Sequence, residues 1–495
     1  MSEAIALGGT QDRLGPPERL HPLYLLTGLG QSLKSAWGFL AGGAVIAAQG
    51  NMTLAIVLVA GSILLSLGRL VLRWLKLEYR VGSDEIRIDS GFLHRTSRAI
   101  PFDRVTDVDL EQGPLQRLLG LAKVKLETGA SAGSKEEEGV LHTISLARAE
   151  ALREHIRARK GLASAPVPAA VAEAGAGSIY AMDTQRVLTA GLFNFSLAVI
   201  AGLFGATQTI GQPWGIDPFQ RSFWLDLLAR SEPLERLILA HQMVAIVAGS
   251  TLLVLLGIGT GLIRTVLREY GFRLDRTGTG FRRRRGLLTL TDVTIPARRA
   301  QAAILGSGAI RRHFGWWELK LQSLSQDGGK GDHVVAPLAR EEEAATILSS
   351  LGWRTGPAEG TWRPVSKAYV TSQLLALVPV AIATIAALIA VGPIGLLGIP
   401  VAVAIVALRW ASWRNTRFAL DGGALFVETG WWRHRRNIVP ARKIQSVDLN
   451  ESWWSRLFGI CSLRLGVAGG SGFSNHHVPA LTRPQAEALR AELLA

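Results

Sequence analysis

A long stretch without charge constrains this chain more than any other feature of its sequence. From residue 368 to residue 410 the only charged side chain is Arg409. A stretch of this length can cross about 30 Å of hydrocarbon twice as a helical hairpin, and its VGPIG segment suits the turn. A buried core helix is the alternative, but core helices are rarely so long and so free of charge. The sequence therefore predicts that the chain spans a membrane.

Two further helical hairpins are predicted on the same grounds. One covers residues 23 to 72, and its first span contains Lys34, which either snorkels to the membrane interface or marks where the helix begins. The other joins Val187–Ile210 to Leu237–Ile263. Three hairpins give six expected spans.

Basic residues crowd one end of each hairpin. They are Arg69, Arg73, Lys76, Arg186, Arg264, Arg268, Lys367, Arg409, Arg414 and Arg417. The other end has uncharged turns and one longer loop, residues 211 to 236, in which three arginines face four acidic residues. Positive charge near the ends of spans favours the cytoplasmic side. The termini and the large polar segments are therefore expected in the cytoplasm.

The polar segments that follow the hairpins repeat one pattern, which begins IPFDRV, IPARRA or VPARKI. The shared positions are Gly91, Pro101, Arg117 and Gly120 in the first copy, Gly286, Pro296, Arg312 and Gly315 in the second, and Gly430, Pro440, Arg456 and Gly459 in the third. A repeat at constant internal spacing indicates one structural unit used several times. The chain is expected to contain three modules, each a hairpin followed by a folded domain.

The pattern inside each copy predicts an antiparallel sheet. Segments such as EIRID, AKVKLE, ALFVE and SLRLGV alternate apolar and polar residues, as half-buried strands do. Short runs such as GPLQRLLG predict one or two helical turns closed by glycine, and each copy ends in an amphipathic run. The second copy departs at Ala300, Ala302 and Ala303, which predicts a thinner strand or a different partner surface.

Paired membrane helices followed by a strand-rich unit with [IV]-P-x-x-[RK], R-x-[LF]-G and a closing helix resemble the bacterial pleckstrin-homology (PH) membrane proteins of the YdbS and YdbT type. The resemblance covers nearly the whole chain and is to the longer, YdbT type. It implies an α+β membrane protein in which three transmembrane hairpins alternate with three PH-like antiparallel β barrels, each with a C-terminal helix. It also implies the inner face of the bacterial plasma membrane, and it implies no chemistry.

The expected boundaries follow from the hairpins and the repeats. They are 1–72 for the N-terminal tail and first hairpin, 73–160 for the first PH-like domain, 161–185 for an Ala-rich linker, 186–263 for the second hairpin, 264–353 for the second domain, 354–367 for a linker, 368–409 for the third hairpin and 410–495 for the third domain.

Two sets of basic residues are candidates for contact with anionic headgroups or a partner. The first is the run Arg282, Arg283, Arg284 and Arg285, which follows the second hairpin closely, and its alternative role is to determine topology. The second is Arg104, Arg299 and Lys443, which lie three residues after the repeat proline and could instead support the sheet by pairing with a cross-strand acid. The run 282–285 has no interleaved aromatics and no recognisable recognition helix, so nucleic acid is not an expected partner.

Several residue types are expected to be structural. The tryptophan pairs at 316–317, 431–432 and 453–454 are interpreted mainly as core residues, with one member of a strand pair free to reach an interface or partner. Cys461 is the only cysteine, so it permits neither an intrachain disulfide nor a Cys-based zinc site, and we interpret it as core. His476 and His477 have no ligand at metal spacing, and no metal or cofactor is expected.

The leading hypothesis is a non-enzymatic membrane scaffold that presents three cytoplasmic modules to headgroups or to a protein partner, with a YdbS-like protein as one candidate. The net charge of +15 is consistent with an anionic surface. A six-span transporter or channel is the alternative, and it predicts ionisable residues inside the spans. No nucleophile elbow, phosphate-binding loop or metalloprotease motif is found, so no catalytic residue is expected. The oligomeric state stays open.

Overall fold

The structure is a computed structural model. It describes residues 15–28, 38–39, 42–43, 46–47, 50–90, 96–128, 139–159, 178–195, 241–327, 330–374, 377–468 and 476–494. Several predictions fall outside these residues: most of the first span with Lys34, the third span beyond residue 195, the loop 211–236 and Gly91.

Each copy consists of four strands, then three strands and a closing helix. In the first copy the elements are β1 (Glu18–Arg19), α1 (Met52–Lys76), β2 (Glu78–Val81), β3 (Glu85–Ser90), β4 (Thr96–Pro101), β5 (Val105–Gln112), α2 (Pro114–Leu118), β6 (Leu121–Thr128), β7 (Val140–Ser145) and α3 (Leu146–Arg159). In the second they are β8 (Ser178–Ala181), α4 (Thr184–Leu192), α5 (Gln242–Glu269), β9 (Arg273–Thr277), β10 (Gly280–Arg285), β11 (Leu290–Pro296), β12 (Ala300–Gly308), α6 (Ala309–His313), β13 (Trp317–Asp327), β14 (Lys330–Ala339) and α7 (Glu341–Ser349). In the third they are β15 (Arg363–Pro364), α8 (Ala368–Leu374), α9 (Val378–Val391), α10 (Gly398–Arg414), β16 (Arg417–Asp421), β17 (Ala424–Thr429), β18 (Arg433–Pro440), β19 (Ile444–Asn450), α11 (Trp453–Leu457), β20 (Ile460–Val467), β21 (His477–Thr482) and α12 (Arg483–Leu494).

The repeated antiparallel sheets with helices are as the sequence predicts. The alternating segments become β3, β6, β17 and β20, and the glycine-closed runs become the short helices α2, α6 and α11. Gly120, Gly315 and Gly459 close these short helices with φ values of 64°, 71° and 63°. Only glycine adopts that conformation without strain, which explains the glycine at this place in every copy.

The chain divides into two compact units. Unit 1 comprises Met1–Ala174, Met182–Phe272 and Arg284–Val293, and unit 2 comprises Gly175–Ala181, Arg273–Arg283 and Thr294–Ala495. Unit 1 contains a sheet of order β1-β2-β3-β4 and the antiparallel run β5-β6-β7. Unit 2 contains a seven-stranded sheet of order β14-β13-β12-β18-β17-β16-β15 and a three-stranded sheet of order β19-β20-β21.

The first strand of each copy precedes the segment predicted to form its membrane hairpin. β1 pairs with β2, β8 with β9 and β15 with β16, so the segment predicted to form the hairpin lies in sequence between the first two strands. Residues 178–181 and 363–364 were assigned to linkers by sequence, and the structure assigns them to strands instead. These strands are two to four residues long, too short for their alternation to be recognised.

Neighbouring copies share a strand pairing, and its register is the same in both units. In unit 1, β5 pairs with β11 and places Leu110 opposite Asp292. In unit 2, β12 pairs with β18 and places Leu305 opposite Arg436. Each time the ninth residue after one repeat proline lies opposite the fourth residue before the next repeat proline. We call this shared pairing the inter-copy joint.

The closing helices cover the cores of their units. Ala149, Leu152 and Ile156 of α3 are buried together with the inward residues of β3, β5 and β6, as their spacing predicts. In unit 2, Ala486 and Leu489 of α12 are buried in the equivalent way. Burial of one large aliphatic side chain contributes about 1.5–3 kcal/mol, so each closing helix is a substantial part of its core. Cys461 lies in the core of unit 2 and is 1 % exposed, which confirms its predicted role.

Two helices in the described part of the chain are long and apolar enough to cross a membrane: residues 52–76 and residues 246–269. The third predicted hairpin is helical, but α9 has 14 residues and α10 has 17, so each is shorter than a typical span of about 20. The turn Gly392–Leu397 separates them at the predicted VGPIG segment. The six-span prediction is therefore not confirmed: two helices of the described residues have the length and composition of a span.

Candidate membrane-facing surface

A tryptophan joins the last turn of the apolar helix before the second strand to the sheet in two copies. Trp74 of α1 donates from Nε1 to the carbonyl oxygen of Leu20, at 3.1 Å. Trp413 of α10 makes the same bond to the carbonyl oxygen of Val365, at 3.2 Å. Both acceptors directly follow the first strand of their copy, and both tryptophans stand 27 residues before the repeat proline. Sequence analysis overlooked them, although their common offset was available as a signal.

In the second copy, the residue that stands 27 positions before the repeat proline belongs to a buried ion pair. Glu269, the last residue of α5, accepts from Arg285 Nη1 at 3.0 Å and 3.2 Å through its two oxygens. The neighbouring turn is bonded to the same helix end, because the backbone N–H of Gly286 donates to Tyr270 and that of Leu287 donates to Leu267. The strand turn of this copy is thus fixed directly to the end of a candidate membrane span.

The basic run on β10 alternates between the interior and the surface. Arg283 is 0 % exposed and donates to the carbonyl oxygen of Val334, and Arg285 is held by Glu269. Arg284 is exposed, and Arg282 is half-buried. Alternation of side chains along a strand produces this pattern. The predicted surface role of four arginines is therefore corrected to two, Arg282 and Arg284, because Arg283 and Arg285 are structural.

The three equivalent cations lie in turns rather than on strands. Arg299 and Lys443 each end a 3-10 turn directly after the repeat proline, and Arg104 occupies the same turn in the first copy. Lys443 donates from Nζ to the carbonyl oxygen of Arg298, at 3.1 Å. An open depression of about 450 Å³ in unit 2 is lined partly by Arg298, Arg442 and Lys443, which makes it basic. Cross-strand support of the sheet, the alternative role, does not fit a position in a turn.

Large apolar side chains are exposed on the short helix of each copy and on the neighbouring turn. In unit 1, Leu118 of α2 is 84 % exposed and Leu288 is also exposed, while Arg117 Nη1 donates to Leu287 at 2.8 Å and ties the helix to the turn. In unit 2, the exposed residues are Ile310, Phe314, Trp432, Trp453 and Leu457. The backbone N–H of Ala309 donates to Trp432 and makes the equivalent tie. We call these residues the apolar rim.

Contiguous exposed apolar residues usually mark a binding or membrane surface. In unit 1 the rim adjoins the turn that is bonded to the end of α5, where lipid headgroups would begin. Arg117 directly precedes Leu118 in the chain, and Arg284 lies four residues before Leu288. A surface with apolar side chains next to cations matches the interface of an anionic bilayer.

The comparison with known families supports a membrane setting. A sequence profile described as Bacterial PH domain (bPH_2) matches residues 25–160, 234–354 and 373–495, which is most of the chain. The chain belongs to the bacterial PH-domain family. A relative from Bacillus subtilis (strain 168), the UPF0699 transmembrane protein YdbT, is 26 % identical over 296 residues. That match covers 56 % of this chain and 54 % of the relative, so the chain spans about half of the relative's length. No solved structure matches.

Beside each inter-copy joint, an ion pair connects the closing helix of one copy to a strand of the following copy. In unit 1, Arg153 of α3 donates from both terminal nitrogens to Asp292 of β11, at 3.1 Å and 3.2 Å. In unit 2, Glu341 of α7 accepts from Arg436 of β18, at 2.6 Å. Asp292 and Arg436 occupy the same repeat position with opposite charge.

The tryptophan pairs are less buried than expected. Trp317, on β13, is the one buried member of the three pairs, whereas Trp453 and Trp454 lie on α11, and Trp432 is exposed in a turn. Interpreting the pairs as strand residues was wrong, since two of the three pairs lie outside strands. Their exposure assigns Trp432 and Trp453 to the apolar rim.

The two histidines next to β21 are not arranged around a metal. His476 is buried beside Gln322, and burial lowers its pKa to about 4. Burial also lowers the pKa of His477. Among the described residues no group of three potential metal ligands is found.

Proposed function

We propose that the protein is a non-enzymatic multi-pass scaffold of the bacterial plasma membrane that presents PH domains at the cytoplasmic surface. The apolar rim is its contact with the headgroups, and the exposed cations beside the rim favour anionic lipids. The remaining exposed faces of the domains are available to a protein partner. Several tethered domains raise the effective concentration for a multivalent partner, so each contact can be weak.

One observation carries this proposal: the turn that bears Leu288 is hydrogen-bonded to the end of α5. A scaffold needs rigid placement of its domains relative to the bilayer, and direct bonds between span and sheet provide it. The tryptophan bonds of Trp74 and Trp413 serve the same purpose in the other two copies.

Transport is less well supported. A transporter needs ionisable groups inside its spans. In the described helices α1 and α5 the charged residues lie in the C-terminal part, from Arg69 and Arg264 onwards. A flux assay in proteoliposomes, with the third hairpin replaced by an unrelated one, tests this alternative. Flux that depends on the native hairpin would support transport.

The scaffold proposal is tested by the depth of single residues in the bilayer. Leu118→Cys, Leu288→Cys and Arg104→Cys are each labelled with bimane in the full chain in anionic nanodiscs that contain doxyl lipid. We expect strong quenching at 118 and 288 and little at 104, since only the first two belong to the apolar rim. Equal quenching at all three sites, or stronger quenching at 104, would refute the assignment of the rim.

The sidedness is tested separately. Arg148→Cys lies on the exposed side of α3 in the first copy. An impermeant maleimide should label it only after the cells are opened. Labelling in intact cells would place the PH domains outside the cytoplasm and contradict the proposal.

A further inference from the structure

Two strands at the ends of the repeat series have fewer neighbours than their equivalents. β5 and β12 each pair with the next strand along the chain and also with a strand of the following copy. Their equivalent in the third copy, β19, pairs only with β20 within the described residues. β4, the equivalent of β11 and β18, pairs there only with β3. Among the described strands, β19 and β4 are thus the two types that form a joint, each without its joint partner.

The two existing joints fix the register of such a pairing. Both join the ninth residue after one repeat proline to the fourth residue before the next. The same rule applied to Pro440 and Pro101 places Leu449 opposite Ser97 and Asp448 opposite Arg98. No shift or gap is needed.

The side chains suit this register. Asp448 and Arg98 would form an opposite-charge pair directly across the strands. Asp448 is exposed on β19. Leu449 is half-buried, whereas its equivalents Leu110 and Leu305 are buried in the existing joints. A strand added along β19 would therefore bury Leu449 as well.

The charges beside the two existing joints are also compatible with a third joint between β19 and β4. Asp292 and Arg436 each match the closing helix of the preceding copy. The equivalent position on β4 is Ser97, which is uncharged and brings no repulsion to the closing helix of a third copy. The residue at the third position is therefore neutral, unlike those at the first two.

We propose that β19 pairs with β4 of a second copy of this chain, in the register of the two internal joints. The pairing is head-to-tail, so it adds further chains in an open row or closes into a ring. Addition of a strand to an exposed sheet edge is a common mode of protein recognition. This inference gives the scaffold a partner, and it does not depend on the apolar rim meeting lipid.

The test uses two differently tagged full-length chains in native membranes. One carries Arg98→Cys and the other Asp448→Cys. Residues directly opposite in an antiparallel pair have Cα atoms about 4.5–5.5 Å apart, within disulfide range. We expect a mixed disulfide dimer on oxidation, in clear excess over either variant alone. The native Cys461 is buried and is replaced by Ala in a parallel set.

The matched control shifts the register by one residue. Ser97→Cys combined with Asp448→Cys directs the two thiols to opposite faces, so the yield should fall sharply. A second control is charge reversal: Asp448→Arg in otherwise native chains should lower co-purification of the two tags by about tenfold, and Arg98→Asp in the partner chain should restore it. Asp448 is exposed but also lies opposite Arg464 of β20, so Asp448→Arg could weaken its own sheet. Recovery of co-purification by Arg98→Asp in the partner chain separates loss of the pairing from loss of the fold.

Three results would overturn the proposal. One is a mixed dimer no more abundant than the same-variant dimers. Another comes from a third chain that carries both Arg98→Cys and Asp448→Cys: a disulfide inside that chain with no dimer formed. The third is capture of a different protein as the main adduct of Asp448→Cys. None of these bears on the quenching experiment, so failure of this inference is distinguishable from failure of the scaffold proposal.

Discussion

The environment of a buried carboxylate on β17 allows a measurable prediction about the stability of unit 2. Glu428 is 1 % exposed and accepts from Arg417 at 2.5 Å and from Arg436 at 2.7 Å. Burial alone would raise the pKa of Glu428, but hydrogen bonds from His434 and Arg417 and the charge of Arg436 lower it to about 2 from 4.5. Each pH unit is worth about 1.4 kcal/mol, so the charged form stabilises the fold by about 3 kcal/mol.

Glu428→Gln keeps the shape of the side chain and removes its charge. We expect the free energy of local unfolding to fall by about 3 kcal/mol at pH 7, which is also typical of breaking a buried ion pair. The assay is native-state hydrogen exchange of peptides from β17 and β18 in the full chain. The opening equilibrium should rise on the order of a hundredfold.

The chain offers a matched control on the same arginine. Glu341 also pairs with Arg436 but is 46 % exposed in its side chain, so Glu341→Gln should cost less than about 1 kcal/mol. In the wild type the stabilisation by Glu428 is complete above pH 4.5 and is lost as the pH falls towards 2. The Gln variant should lack this dependence. Equal losses for the two variants, or a loss below about 0.5 kcal/mol for Glu428→Gln, would refute the reasoning.

Three further predictions concern unit 2. Gly430→Ala should cost clearly more than Gly459→Ala in thermal melting, because both have positive φ but a Cβ at 430 would lie 2.2 Å from the carbonyl oxygen of Arg433, whereas nothing lies within 4 Å at 459. The pKa of His476 is lowered from 6.5 to about 4, so local stability should fall by about 2 kcal/mol between pH 7 and pH 5, and His476→Gln should show a flatter exchange profile over that range. Trp413→Phe should increase exchange near β15 through loss of about 1 kcal/mol from one hydrogen bond, and unchanged exchange would contradict the proposed anchor.

The sequence allowed the repeated elements to be predicted because their signals are local. Alternation of apolar residues indicates β17 and β20 directly, and a glycine with positive φ at Gly120 or Gly459 has no good substitute. The burial of Arg283 and Arg285 could also have been predicted, since a strand must turn alternate residues inward. Four adjacent arginines were instead treated as one charged surface.

Other features depend on distant partners and left no local signal. The strand Arg363–Pro364 is too short to show a period, and its partner β16 lies beyond the whole third hairpin. The inter-copy joint is likewise long-range. The alanines at 300, 302 and 303 do hint at it, because β12 has strands on both sides and these side chains are fully buried. Small residues suit that position, but the sequence alone does not say which strand is the neighbour.

The most direct test concerns the register in which β5 pairs with β11. The common register of the two inter-copy joints, and the proposed pairing of β19 with β4, both depend on it. Glu111→Cys and Thr291→Cys lie directly opposite each other in the full chain. Mild oxidation in native membranes should join them in an intrachain disulfide, seen as a mobility shift that reductant reverses. Pairing Glu111→Cys with Leu290→Cys, one residue out of register, should give little product. Equal yields for both pairs, or none for the first, would contradict the shared register.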